Sequence, residues 1–115
     1  MTVTILHNPR CSKSRQTLAL LIEQGVEPEV REYLKQPLSR AELELLIAQL
    51  GIEAKELVRS KEDEFKQTDL ELNSASATEL IDAMVATPKL MERPVVISAK
   101  GARIGRPPER VLEIL

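Results

Sequence analysis

The chain has 115 residues, 43% hydrophobic but only 2% aromatic, with sixteen lysines and arginines against eighteen acidic residues and a net charge of −2. That length suits one domain with one core; the charge excludes a general attraction to nucleic acid or to an anionic membrane, and two rings, Tyr33 and Phe65, are too few for stacking along single-stranded bases. No apolar run approaches the roughly 20 residues of a membrane span, MTVTILHNP has no basic segment ahead of its apolar one, and a single cysteine forms no internal disulfide, so a monomer of the reducing cytoplasm is expected.

Val3 to Leu6 is a short apolar run with β-branched residues, stopped by the turn signal Asn8-Pro9, which predicts a strand and then a loop. Ser12 to Gln24 predicts a helix, with Thr17, Leu18, Leu21 and Ile22 on one stripe and Gly25 as its stop. Glu29 to Leu34, helped by Tyr33, predicts a second strand; strand, helix, strand favours a parallel pair joined by a right-handed crossover. Ser39 precedes Glu42 by the spacing of a capping box, and Leu43, Leu46, Ile47 and Leu50 form the apolar face of a helix ending at Gly51. Further helical turns are expected at Ala54 to Ser60 and Ser76 to Ala86, whereas Glu62 to Leu72 is charged and carries no clear period.

After Arg93-Pro94 the pattern returns to strand at Val95 to Ile97, turns at Lys100-Gly101 and gives a partner strand at Ala102 to Ile104. Pro107-Pro108 opens a last helix, Glu109 to Leu115, with Val111, Leu112 and Leu115 facing inward. This is the element order of an α/β, thioredoxin-like fold. It predicts one domain over residues 1–115, a small mixed sheet with flanking helices, and a helical insertion at about 36–90.

Chemistry concentrates in HNPRCSKSR. Cys11 precedes the first helix, so its sulfur faces unpaired backbone N–H groups and the positive end of the dipole. A free thiol titrates near 8.5. Lowering that by about two units needs roughly 2.7 kcal/mol, more than the ~0.3–2 kcal/mol a helix end supplies. Further positive charge is at hand in Arg10, Lys13 and Arg15, and a protonated or hydrogen-bond-donating His7 would add to it. The same donors suit a tetrahedral oxyanion. The polar flanks Arg10, Ser12 and Lys13 argue against the alternative of a core cysteine. Three residues beyond Cys11 stands Ser14 rather than a second cysteine, so an outside thiol, glutathione or glutaredoxin, must complete any turnover.

The loop HNPRCSKSR resembles the active-site loop of the glutaredoxin-linked arsenate reductases, the ArsC family. ELVRS (56–60), MERPVVI (91–97) and GARIGRPPERVLEIL (101–115) follow in order and resemble that family's other blocks, so the resemblance covers essentially the whole chain. It implies a cysteine nucleophile, Cys11, that attacks arsenate; oxyanion binding by Arg59, Arg93 and Arg106 with Ser14 and Arg15 of the loop; and His7 as the assisting loop histidine. It also implies glutathione and glutaredoxin as reductants and partners, with no bound cofactor or metal. Pro94 falls where thioredoxin-like folds place a cis-proline. Taken alone, Arg59 reads as a cation favoured at the end of a helical turn, and Arg103 and Arg110 as solvated residues. The loop departs from the family's frequent CGTSR at Ser12 and Lys13, which bears on substrate identity. Two alternatives stand beside arsenate reduction: a related thiol reductase acting on another oxidised or glutathionylated substrate, and an Spx-like regulator that binds RNA polymerase, disfavoured because Ser14 removes the CxxC switch.

Overall fold

The computed structural model describes residues 2–115. Strand β1 (Thr4–His7), helix α1 (Ser12–Glu23) and strand β2 (Glu29–Glu32) are followed by α2 (Arg40–Leu50), α3 (Ala54–Leu57), α4 (Asp63–Lys66) and α5 (Ala77–Ala86). A 3-10 turn at Pro88–Leu90, strands β3 (Val95–Ser98) and β4 (Gly101–Ile104), and a 3-10 helix at Pro108–Ile114 complete the chain. No helix among the described residues is long and apolar enough to cross a membrane. Two compact units are distinguished.

The first unit runs to Gln36 and resumes at Arg93–Leu115. Its sheet has the order β2-β1-β3-β4, with β1 parallel to β2 and antiparallel to β3, and β3 antiparallel to β4. Ile5 pairs with both Val30 and Val96 in this register. Ile5 and Val96 are buried with Val3, Leu21, Val111 and Ile114 in one aliphatic core. Burying such side chains is worth about 1.5–3 kcal/mol each, which substitutes for the missing aromatics.

Three sequence expectations are corrected here. The second strand stops at Glu32 instead of Leu34, because the N–H groups of Lys35 and Gln36 both donate to the Glu32 carbonyl and close a turn; Tyr33 is buried within that turn. On α1 the inner line is Ser14, Thr17 and Leu21, while Ile22 is 60% exposed. Ser14 and Thr17 can sit inside because each hydroxyl finds a partner locally, His7 and the Lys13 carbonyl respectively. The last helix is 3-10 rather than α, so its inner residues repeat every third position, Pro108, Val111 and Ile114, and Leu112 turns outward.

The second unit is Pro37–Glu92. Both of its longer helices carry the capping box: Ser39 and Glu42 on α2, Ser76 and Glu79 on α5, each serine oxygen accepting from the glutamate's N–H while that carboxylate accepts from the serine's N–H. Gly51 ends α2 at φ +68, the left-handed conformation that glycine adopts without cost. Leu43, Leu46, Leu57, Leu80, Met84 and Leu90 are buried, and an Arg40–Asp82 ion pair ties α2 to α5 at the surface. The expected turn at Ala54 to Ser60 stops at Leu57, where Val58 leaves the helix to form a β-bridge with Met91. The charged stretch holds the single turn α4, anchored by buried Phe65.

The 3-10 register is checked by a pair of truncations read by urea denaturation. Ile114→Ala is expected to cost about 2–5 kcal/mol, and Leu112→Ala no more than about 0.5 kcal/mol; the reverse order would indicate an α-helical register.

Candidate active site

Leu6, Val95 and Ile104 lie in one row across the sheet. Because β3 is antiparallel to both its neighbours, the chain leaving β1, entering β3 and leaving β4 emerges at the same end. Cys11, Arg93 and Arg106 sit on those three segments. Beyond β1, the Asn8 carbonyl accepts the Cys11 N–H at 3.0 Å and Asn8 Oδ1 accepts the Arg10 N–H at 3.0 Å, a turn that delivers Cys11 as the N-cap of α1. The first turn of α1 contains no acidic residue.

Cys11 is a free, partly exposed thiol. Burial works against its ionised form, but the N–H of Ser14, the hydrogen-bonding guanidinium of Arg93 and the N–H of Lys13 outweigh that cost and hold the thiol below the ordinary cysteine range. Arg106 Nη2 lies 3.7 Å from the sulfur, while its Nε donates to the Arg93 carbonyl at 2.8 Å, so the two arginine segments are tied to each other as well as to the thiol. Nε and Nη1 of Arg93 are buried with no hydrogen-bond partner among the described residues. These two donors point to different sides of the guanidinium, so each is left to meet an oxygen of its own. The peptide bonds Arg93-Pro94 and Arg106-Pro107 are both cis; the resemblance set Pro94 at a cis-proline position, but the sequence left its isomer open.

His7 plays a different part from the one expected. Its Nδ1 is 2.6 Å from Ser14 Oγ, which also accepts the Asn8 N–H at 3.0 Å. Burial, aided by Arg15 and opposed by Glu32, pushes the imidazole below its ordinary pKa of 6.5, so the ring is neutral at pH 7. Burial thus disfavours a charged His7, and the ring meets Ser14 Oγ, whose own N–H faces the thiol. Arg15 is exposed and donates from Nη1 to the Pro9 carbonyl at 2.9 Å, bracing the outside of the loop. Arg103 is paired with Glu113 at 2.9 Å.

Arg59 belongs to the second unit. It does not end a helical turn, since α3 stops two residues earlier. Its N–H donates to the Leu90 carbonyl, and its guanidinium is held by Glu62 at 3.0 Å and Glu92 at 3.6 Å. The first unit thus gathers Cys11, His7, Ser14, Arg93 and Arg106, with Arg15 on the loop's outer side. Sequence patterns missed Asn8 as a partner of Ser14 and the carboxylates on Arg59; the only trace was the turn dipeptide Asn8-Pro9. Among the described residues no cluster of three or more His, Cys, Asp or Glu side chains could hold a metal.

The ArsC family profile matches residues 6–114. The chain belongs to the ArsC family. This ArsC-family chain is 58% identical to the protein YfgD of Escherichia coli K12, over 98% of its own length and 96% of the relative's. It is 50% identical to an arsenate reductase of Rhizobium meliloti, over 100% of its length and 82% of that protein's. The solved arsenate reductase from Vibrio cholerae superposes with a TM-score of 0.96 at 50% identity, covering 100% of this chain and 98% of that one. The mixed four-stranded sheet with flanking helices is accordingly the thioredoxin-like fold of ArsC arsenate reductases.

The neutral His7 predicts a pH dependence. Because its folded pKa lies below 6.5, the unfolded chain gains a proton that the buried ring resists. Stability is then complete above that value and declines as pH falls from 6.5 through the folded pKa. Urea denaturation between pH 7 and 5 should show this slope, and His7→Gln should remove its share.

Proposed function

We propose that the protein is a glutathione- and glutaredoxin-dependent arsenate reductase that works through Cys11 alone. The observation that carries this is a thiol held below its ordinary pKa by the N–H groups of Ser14 and Lys13 and by Arg93, with Arg106 against the same sulfur, in a chain of the ArsC family.

The Cys11 thiolate attacks arsenic, and an arsenate oxygen leaves as water once protonated, giving a thiol–arsenate adduct. Arg93, Arg106 and the N–H groups at the start of α1 offset the repulsion between two anions in this step. Ser14 serves through its N–H and Arg15 by bracing the loop. A glutathione thiolate then attacks the Cys11 sulfur, and the S–As bonding pair stays with arsenic, which departs as arsenite. The product is a mixed Cys11–glutathione disulfide. With Ser14 where a resolving cysteine would stand, a thiol of glutaredoxin removes the glutathione and restores Cys11. Per cycle two thiols become one disulfide, supplying the two electrons that arsenic gains. The scheme calls for no resident cofactor, and its reductants belong to the cytoplasm. A second use of the same thiol, on another oxidised or glutathionylated substrate, is favoured by the partial exposure of Cys11, which leaves the sulfur open to a larger molecule.

Purified protein with arsenate, glutathione and glutaredoxin should release arsenite steadily, and Cys11→Ser should abolish release. Arg106→Ala should lower kcat/KM by at least about tenfold, the worth of one charge-assisted contact. Iodoacetamide should alkylate Cys11 well below pH 8, more slowly in the presence of phosphate or arsenate. Arsenite release no greater than that of the Cys11→Ser control, with rapid low-pH alkylation preserved, would shift the assignment to the second substrate class.

A further inference from the structure

Gly105 is buried, and a Cβ placed on it would lie 2.7 Å from Thr17 Oγ1, 2.9 Å from Pro94 Cγ and 3.3 Å from Thr17 Cγ2. Neither neighbour is the loose end of a flexible side chain: Thr17 is fully buried, with Oγ1 donating to the Lys13 carbonyl at 2.8 Å, and Pro94 is a buried ring. The glycines at positive φ are Gly25, Gly51 and Gly101, so Gly105 has a backbone that any residue adopts. It is glycine for space and not for conformation.

Three structures meet at that point. Thr17 belongs to the start of α1, whose Lys13 and Ser14 N–H groups face the sulfur. Pro94 follows Arg93, and its carbonyl accepts the Gly105 N–H at 2.9 Å. Gly105 itself precedes Arg106. Every group that favours the Cys11 thiolate is thus carried by a segment in contact with Gly105. We propose that Gly105 is a positioning residue, the close approach that fixes the distance of Arg93 and Arg106 from the first turn of α1 and so from Cys11. A side chain there must push the arginine segments off the helix. The 3.7 Å contact between Arg106 and the sulfur has little slack for such a shift. The inference rests on Cys11 as an activated thiol, but not on arsenate as its substrate.

The test reads the pH profile of iodoacetamide alkylation, with and without phosphate. A low midpoint in the wild type checks the activated thiol; the variants check Gly105. Gly105→Ala should raise the midpoint by about one pH unit, a roughly tenfold slower reaction well below it, and phosphate should protect less. Gly51→Ala serves as a control for stability: it strains a left-handed position with open space around it, so it should lower the melting temperature and leave the profile unchanged. Thr17→Ala/Gly105→Ala removes the Thr17 contacts but leaves the added Cβ 2.9 Å from Pro94 Cγ, so its midpoint should lie between those of Gly105→Ala and Thr17→Ala. A folded Gly105→Ala with an unmoved midpoint overturns the proposal. If Gly105→Ala does not fold, the double variant decides: a midpoint above that of Thr17→Ala supports the close approach through Pro94, and an equal midpoint or loss of folding overturns it.

Discussion

A half-sheltered sulfur anion exists only where positive electrostatics exceed what burial withholds, and that balance at Cys11 is what the surrounding structure is arranged around. Desolvation is the largest single influence on the thiol and acts against ionisation; two backbone N–H groups and Arg93 together reverse it. The helix end by itself contributes at most about 2 kcal/mol. The sheet topology supplies the convergence: an antiparallel β3 between β1 and β4 brings the cysteine turn and two arginine segments to one end.

Around that centre the buried polar groups are satisfied in a chain of local bonds. Ser14 Oγ joins His7 to the Asn8 N–H, and Thr17 returns its hydroxyl to the Lys13 carbonyl. These contacts fix the first turn of α1, and with it the direction of the N–H groups that meet the sulfur. The neutral histidine fits this arrangement: a charged ring would add a desolvation cost in a place where its contribution is the orientation of Ser14. In the second unit Arg59 is held between two carboxylates, so its charge is partly balanced by Glu62 and Glu92.

Much of the fold was legible because it is written in local signals. The capping box at Ser39, the helical turns from Ser76, the stop at Gly51 and the strands on either side of Lys100-Gly101 each depend on neighbours a few residues apart. The errors share a cause as well. Ile22 and Leu112 were placed inside by an assumed period of 3.6, but exposure is decided by what packs against the helix and, in the last segment, by a three-residue repeat. Tyr33 looked like a strand residue because aromatic residues favour strands, yet the bonds to the Glu32 carbonyl ended the strand before it.

Sequence by itself determined the chemistry on offer: one thiol at a helix start, no second cysteine to resolve an adduct, and arginines in three separate blocks. Those are matters of residue identity and short-range spacing, which the chain carries in its order. Only tertiary structure decided that Arg93 and Arg106 share the sulfur, that Glu62 and Glu92 take Arg59, that burial disfavours a charge on His7, and that residue 105 has no room for a side chain. Each of these depends on groups distant in sequence coming within a few ångströms of one another, and both electrostatic energy and steric exclusion are set by that distance.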